Sequence, residues 1–230
     1  MMDLASATVR RLEIPLEGSY AISDGATASI YSMLVVLETA DGERGIGTAD
    51  VTGNHPIPQT VDGIQSSLVD ELLPAVLEEQ PEHPNALHRL LDEFPHYGNA
   101  KCALEMAYLD LYCRRRGQSI ADFLGGRLRD EEPLNAWVGV DTPEAMAAEA
   151  DEWRRRGFTS LKMKADGDVQ RDVARIEAVC DAVGDEMAVR VDANEGYGSL
   201  EEALETCRAI EDRPIAHFEQ PLPRDDREGL

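Results

Sequence analysis

The sequence predicts an α+β domain followed by parallel βα units of a TIM-type barrel, and three observations carry that prediction. The first half mixes strand patterns with long amphipathic helices. In the second half short apolar strands alternate with amphipathic helices, with strand starts at Leu134, Ser160, Ala188 and Ala216, at intervals of 26, 28 and 28 residues. A repeat of that length implies parallel strands joined by right-handed crossovers. An open doubly wound sheet usually carries a Gly-rich phosphate turn after its first strand, and "GVDTPEA" has none. The even spacing therefore favours a barrel.

Each element has its own signal. In residues 1–125, "TVRRLEIPL" and "SMLVVLETADGERGIG" read as strands, the latter a pair turning at Asp41-Gly42. Helical patterns follow in "TVDGIQSSLVDELLPAVLEE", "NALHRLLDEF" and "NAKCALEMAYLDLYCRRRG". Gly117 ends the last of these, and Arg114, Arg115 and Arg116 suit the negative end of its dipole better than an anion site. After "FLGGRLRDEEP" the rhythm changes, so residues 126–230 form the second domain, with about four βα units. Its strands are "LNAWVGV", "SLKMKA", "AVRVDAN" and "AHFEQPL".

Composition narrows the function. Among 230 residues, 45 are acidic and 22 basic, for a net charge of −23. Such a charge repels phosphates and argues against nucleic acid and anionic membranes as partners. It resembles the carboxylate-covered surface of proteins adapted to high salt, where charges are screened within a few ångströms. The hydrophobic fraction of 43% is too high for disorder. Cys102, Cys113, Cys180 and Cys207 form no C-x-x-C pair and fall in helical patterns, so buried free thiols in a reducing compartment are expected. No apolar run reaches signal-peptide or membrane length, which leads to the expectation of a cytoplasmic protein.

The chemistry centres on "SLKMKAD". Lysine occurs only at Lys101, Lys162 and Lys164, and two of the three lie in one strand. Side chains alternate along a strand, so Lys162 and Lys164 share the face opposite Leu161, Met163 and Ala165. The same alternation groups Arg190, Asp192 and Asn194 on the next strand, and His217 with Glu219 on the last. Polar groups thus gather at the C-terminal ends of successive strands, where barrel enzymes build their active sites. Asp192 and Glu219 read as oxygen ligands for a hard divalent cation such as Mg²⁺, or as plain salt-bridge partners of the lysines. Asn194 either supports a ligand or opens the loop "NEGYGS", and His217 reads as a packed or hydrogen-bonding residue. A desolvated lysine beside another cation has a lowered pKa and can serve as a base near neutrality. A lysine base with a divalent metal suits abstraction of a proton next to a carboxylate, because the metal would stabilise the enediolate that forms.

"LKMK", "VDANEGY" and "FEQPLPRDD", in this order and spacing, resemble the muconate-lactonizing (mandelate racemase/muconate cycloisomerase) branch of the enolase superfamily. "NAKCALEMAYLDLYCRRRGQSIADFLGG" resembles that family's signature at the end of its α+β capping domain. Within the branch the likeness is to dipeptide epimerases of the Ala-Glu type; muconate cycloisomerases and N-acylamino-acid racemases share most of these features. The resemblance implies Lys164 as the acid/base and Lys162 as an electrostatic aid near the substrate carboxylate that holds down the pKa of Lys164. It implies Asp192 and Glu219 as the first two Mg²⁺ ligands, supported by Asn194. It implies a small carboxylate substrate, selected by capping-domain loops around Tyr20, Ser23 and Asp24 and around Thr52, Asn54 and His55.

Eight strands close such a barrel, and four are read here, so roughly another 110 residues would complete it. The resemblance implies that a third carboxylate ligand and an opposing lysine belong to that remainder. Three readings follow: a portion of a longer epimerase or cycloisomerase, a short chain completed by a homo-oligomer or complementing chain, and a non-catalytic remnant. Little activity is expected of the 230-residue chain alone.

Overall fold

The turn at Asp41-Gly42 closes because Gly42 takes a φ of +88°, which an L side chain rarely adopts. The Gly42 N–H donates to the Thr39 carbonyl at 2.9 Å and the Thr39 N–H to the Glu43 carbonyl at 3.0 Å. This joins strands β2 (Gly25–Thr39) and β3 (Arg44–Val51), antiparallel from Glu38 opposite Arg44 to Tyr31 opposite Val51. Strand β1 (Leu4–Ile22) completes a sheet in the order β1-β2-β3. The computed structural model describes residues 2–22, 25–51, 60–95 and 97–229, with side chains left out at 17–22 and 25–27. The chain falls into two units, Met1–Glu17 with Ala28–Asp130, and Gly18–Thr27 with Glu131–Leu230.

In the first unit, period-two alternation buries Met33, Val35 and Leu37 completely. The first helical pattern forms α1 (Val61–Ser66), a π-helical segment (Ser67–Leu72) and α2 (Leu73–Glu79). The Ser67 hydroxyl donates to the Gly63 carbonyl at 2.7 Å, beside the point where the helical ladder changes pitch. Gln80, in the left-handed conformation, ends α2. Its amide bonds both backbone groups of Leu4, accepting from the N–H and donating to the carbonyl, each at 2.8 Å. Helices α3 (Pro84–Asp92) and α4 (Gly98–Arg114) follow, then the single turn α5 (Ile120–Phe123). Gly117 does end α4, at φ +63°. Arg114 and Arg115 pair with Asp110, Asp41 and Glu43, as helix-end residues rather than an anion site.

The second unit is a parallel sheet in the order β4-β5-β6-β7, made of Ala136–Val138, Ser160–Lys164, Ala188–Asp192 and Ile215–Glu219. Helices α6 (Pro143–Arg155), α7 (Val169–Val183) and α8 (Leu200–Ala209) make the crossovers. Thr142, Asp168 and Ser199 cap their N-termini, each side chain accepting from a backbone N–H of the first turn. Leu161, Met163, Val189 and Val191 are fully buried with Ile176 and Val179 of α7.

Ser160 and Ala188 start their strands as expected, but the first strand starts at Ala136, because Leu134 is 73% exposed and Ala136 is the residue that pairs with β5. The last begins at Ile215, one residue early. The four cysteines are free, yet only Cys113 and Cys180 are buried; Cys102 is exposed on α4. Among the described residues no helix is long and apolar enough to cross a membrane.

Candidate active site

Strand β5 sets the site by alternation. Leu161 and Met163 go to the core, and Lys162 and Lys164 take the opposite face. The parallel register aligns the neighbours into two cross-strand rows. One holds Lys162, Arg190 and His217; the next, at the C-terminal ends of the strands, holds Lys164, Asp192 and Glu219. Intervals of 28 residues from Lys164 to Asp192 and 27 from Asp192 to Glu219, with a register shift between Val189 and Arg190, bring the second row into line.

The lysines share one carboxylate. Lys164 Nζ donates to Asp192 Oδ2 at 2.6 Å and to Asn194 Oδ1 at 2.7 Å. Lys162 Nζ donates to Glu219 Oε2 at 2.7 Å and lies 2.8 Å from the same Asp192 oxygen. The other oxygen, Asp192 Oδ1, accepts from the Asn194 N–H at 3.0 Å. Asp192 is 1% exposed and Lys164 7% exposed, so this is a desolvated ion pair; Lys162 and Glu219 are partly open to solvent. The structure thus sets Asp192 between two ammonium groups that the alternation pattern places side by side. Burial pulls the Lys162 pKa down, but hydrogen bonds to Asp192 and Glu219 outweigh it and hold the amine above its ordinary value. Burial likewise pushes Asp192 up, and its bonds to Lys162, Lys164 and the Asn194 N–H more than offset this, leaving it below the usual carboxylate range.

An open cleft of about 610 Å³ lies against Lys162, Arg190, Ala216, His217 and Glu219. His217 lines it and is exposed, a correction to the expected packed role: β7 has sheet on one side only among the described residues. Tyr20, expected in a loop, has its backbone in β1. Ser23, Asp24, Thr52, Asn54 and His55 lie outside the described residues.

Asp192 and Glu219 are hard oxygen donors on adjacent strand ends, and a cationic group, the Lys162 ammonium, already bridges them. One or two carboxylates completed by water is a donor set that Mg²⁺ accepts. The pair therefore fits part of a Mg²⁺ site. Among the described residues no group of three or more His, Cys, Asp or Glu side chains could hold a metal by itself.

A second polar cluster, missed in the sequence reading, lies behind Lys164. Asp172, fully buried in the first turn of α7, accepts hydrogen bonds from the N–H groups of Asp166 and Gly167, from Arg175 and from the Tyr197 hydroxyl. The signal was present as Asp172 and Arg175 on the same helix face as Ile176 and Val179, an apolar stripe where charged residues are out of place.

Residues 5–125 match the model of the mandelate racemase / muconate lactonizing enzyme N-terminal domain. The chain belongs to the mandelate racemase / muconate lactonizing enzyme family. Residues 145–230 of this family member match the enolase C-terminal domain-like model. It is 30% identical over 231 aligned positions to N-succinyl-L-Arg/Lys racemase of Bacillus cereus, covering 100% of this chain and 62% of the relative. The crystal structure of that racemase superposes with a TM-score of 0.91 over 99% of this chain and 62% of the other. L-Ala-D/L-Glu epimerase of Bacillus subtilis is 31% identical, with 100% of this chain and 63% of the relative covered. A dipeptide epimerase from Enterococcus faecalis, crystallised with Mg and the dipeptide L-Leu-L-Tyr, gives a TM-score of 0.89 at 29% identity, covering 100% of this chain and 64% of that one. The chain thus spans a little under two thirds of the length of these relatives.

Proposed function

We propose that the protein builds the lysine and carboxylate half of a Mg²⁺-dependent isomerase site that removes the proton α to a carboxylate, acting as an epimerase or racemase on dipeptides or N-acylamino acids. The observation that carries this is the row of Lys164, Asp192 and Glu219 at the ends of three adjacent parallel strands. The relatives named racemase and epimerase support the substrate class. In this reading Lys164 Nζ is the acid/base at the substrate α-carbon, held by Asp192 and Asn194. Lys162 lies toward the substrate carboxylate. Asp192 and Glu219 would hold Mg²⁺, which when bound supplies the positive charge that stabilises an enediolate. Tyr20, Ser23, Asp24, Thr52, Asn54 and His55 are assigned to substrate selection. The parallel sheet belongs to a TIM-type barrel, and the remainder of such a barrel, or a homo-oligomer or complementing chain, would supply further ligands. A second reading, cycloisomerisation, is favoured by the likeness to the muconate lactonizing enzyme of Pseudomonas fluorescens, with a TM-score of 0.88 at 27% identity.

The test is exchange of the substrate α-proton with solvent deuterium, with Mg²⁺ and a panel of L-Ala-containing dipeptides, N-acylamino acids and muconates. Because the described residues supply two carboxylates, a solitary monomer is expected to exchange weakly and an assembly that adds a ligand to exchange well. Lys164→Met should abolish exchange while the circular dichroism spectrum stays that of the parent. Exchange at the parent rate by Lys164→Met, or none by any assembled form across the panel, would sink the proposal.

A further inference from the structure

We infer that Asp172 is a positioning residue: it ties the loops after β5 and β6 together, reaches the loop after β4 through Arg175, and so fixes where Lys164 stands relative to Asn194. The inference rests on the proposed role of Lys164.

The loops after β5 and β6 are bonded directly and the loop after β4 through Arg175. Asp172 Oδ1 accepts from the Asp166 N–H at 3.2 Å and from Arg175 Nη1 at 3.0 Å. Its Oδ2 accepts from the Gly167 N–H at 2.9 Å and from the Tyr197 hydroxyl at 3.0 Å. Asp166 and Gly167 follow Lys164 directly after Ala165, and Tyr197 lies three residues past Asn194. Arg175 extends the network, donating through Nε to the Asp141 carbonyl at 2.8 Å and pairing with Asp166 Oδ2 at 2.9 Å. The loops after β5 and β6 also meet backbone to backbone, since a Cβ at Gly167 would lie 2.0 Å from the Gly196 carbonyl oxygen.

Asn194 and Glu195 hold positive φ angles of 46° and 65°, a conformation that persists only where the surroundings over-determine it. Asp172 and Arg175 are 0% and 6% exposed, so neither is a solvated helix pair of the kind that contributes almost nothing. Each hydrogen bond that the carboxylate accepts comes from the loop that follows Lys164, from the loop that carries Asn194, or from the guanidinium that reaches the loop of Asp141. Catalytic geometry is sensitive at this scale, since a shift of about 1 Å can cost about 100-fold in rate.

The experiment uses Lys101 as an internal ruler for Lys164. The chain is treated with an amine-reactive acylating ester, and modification of Lys164 is read against Lys101, on α4, by peptide mass spectrometry. Asp172→Asn keeps the shape and loses the charge; Tyr197→Phe removes one donor and remains folded if the first variant does not. Val179→Ala, which deletes apolar volume from the same helix, serves as the destabilised control. The Lys164/Lys101 ratio is expected to rise about threefold in Asp172→Asn and about twofold in Tyr197→Phe, as local opening of the tied loops increases, and to stay at the parent value in Val179→Ala. In an exchange-active assembly, Asp172→Asn should lower kcat about 10- to 100-fold with KM within about twofold. An unchanged ratio in both network variants overturns the inference, as does an equal rise in Val179→Ala. If no form exchanges protons yet the ratio responds as stated, the functional reading falls and the positioning of Lys164 stands.

Discussion

Asp192 Oδ2 receives two ammonium groups, at 2.6 and 2.8 Å, in a place where the carboxylate is almost wholly withdrawn from water. Removing it leaves Lys164 buried without its carboxylate, and breaking a buried ion pair in this way costs about 3–5 kcal/mol. Glu219 also bonds Lys162, but both are partly solvated, and exposed pairs are worth about 0–1 kcal/mol. Asp192→Ala should therefore lower the urea midpoint far more than Glu219→Ala; equal losses would mean that burial is not what sets the strength of the cluster. Lys162, Lys164, Asp192 and Glu219 were legible in the sequence because strand alternation and a near-constant repeat bring these polar groups to neighbouring strand ends without any knowledge of packing. Asp172 and Arg175 were not, since an Asp-x-x-Arg step on a helix looks the same whether the surrounding loops fold over it or leave it in water.

Between elements, the tightest packing in the first unit is β3 against α4. A Cβ at Gly47 would lie 2.0 Å from the Ala103 carbonyl oxygen, and one at Gly45 would lie 2.1 Å from that of Ala107. Backbone cannot yield as a flexible side chain can, so Gly47→Ala should destabilise by about 3 kcal/mol or more through overpacking. At Gly42 a Cβ would meet nothing, and only the positive φ opposes it, at about 1 kcal/mol. Thermal denaturation of the two variants should show the larger drop for Gly47→Ala, and the reverse order would refute the close approach. The hairpin was legible from Asp41-Gly42, whose turn chemistry is local. The contact of Gly45 and Gly47 with α4 was not, because it joins residues some sixty positions apart, and the start of β4 was missed because an apolar Leu134 carries no mark that it faces solvent.

At the scale of the molecule, a net charge of −23 repels itself. Salt at about 1 M shortens the screening length to about 3 Å and relieves that repulsion, whereas the exposed ion pairs it weakens are worth little each. Stability to urea should therefore rise with sodium chloride, and a fall would show that the ion pairs dominate. Charge and composition were fully legible, because they need no fold. One contact bears on the order in which the fold assembles. The Gln80 amide takes the place of a neighbouring strand for Leu4, offering one donor and one acceptor to backbone groups that point away from β2. Asp3, one residue earlier, turns its carbonyl the other way, to the Ala40 N–H. The hairpins can zip early from nearby residues, but the outer rim of β1 at Leu4 must wait until the helix ending at residue 80 has formed and docked. Until then that rim is an unsatisfied edge, and the side chain that closes it denies another chain the same two bonds.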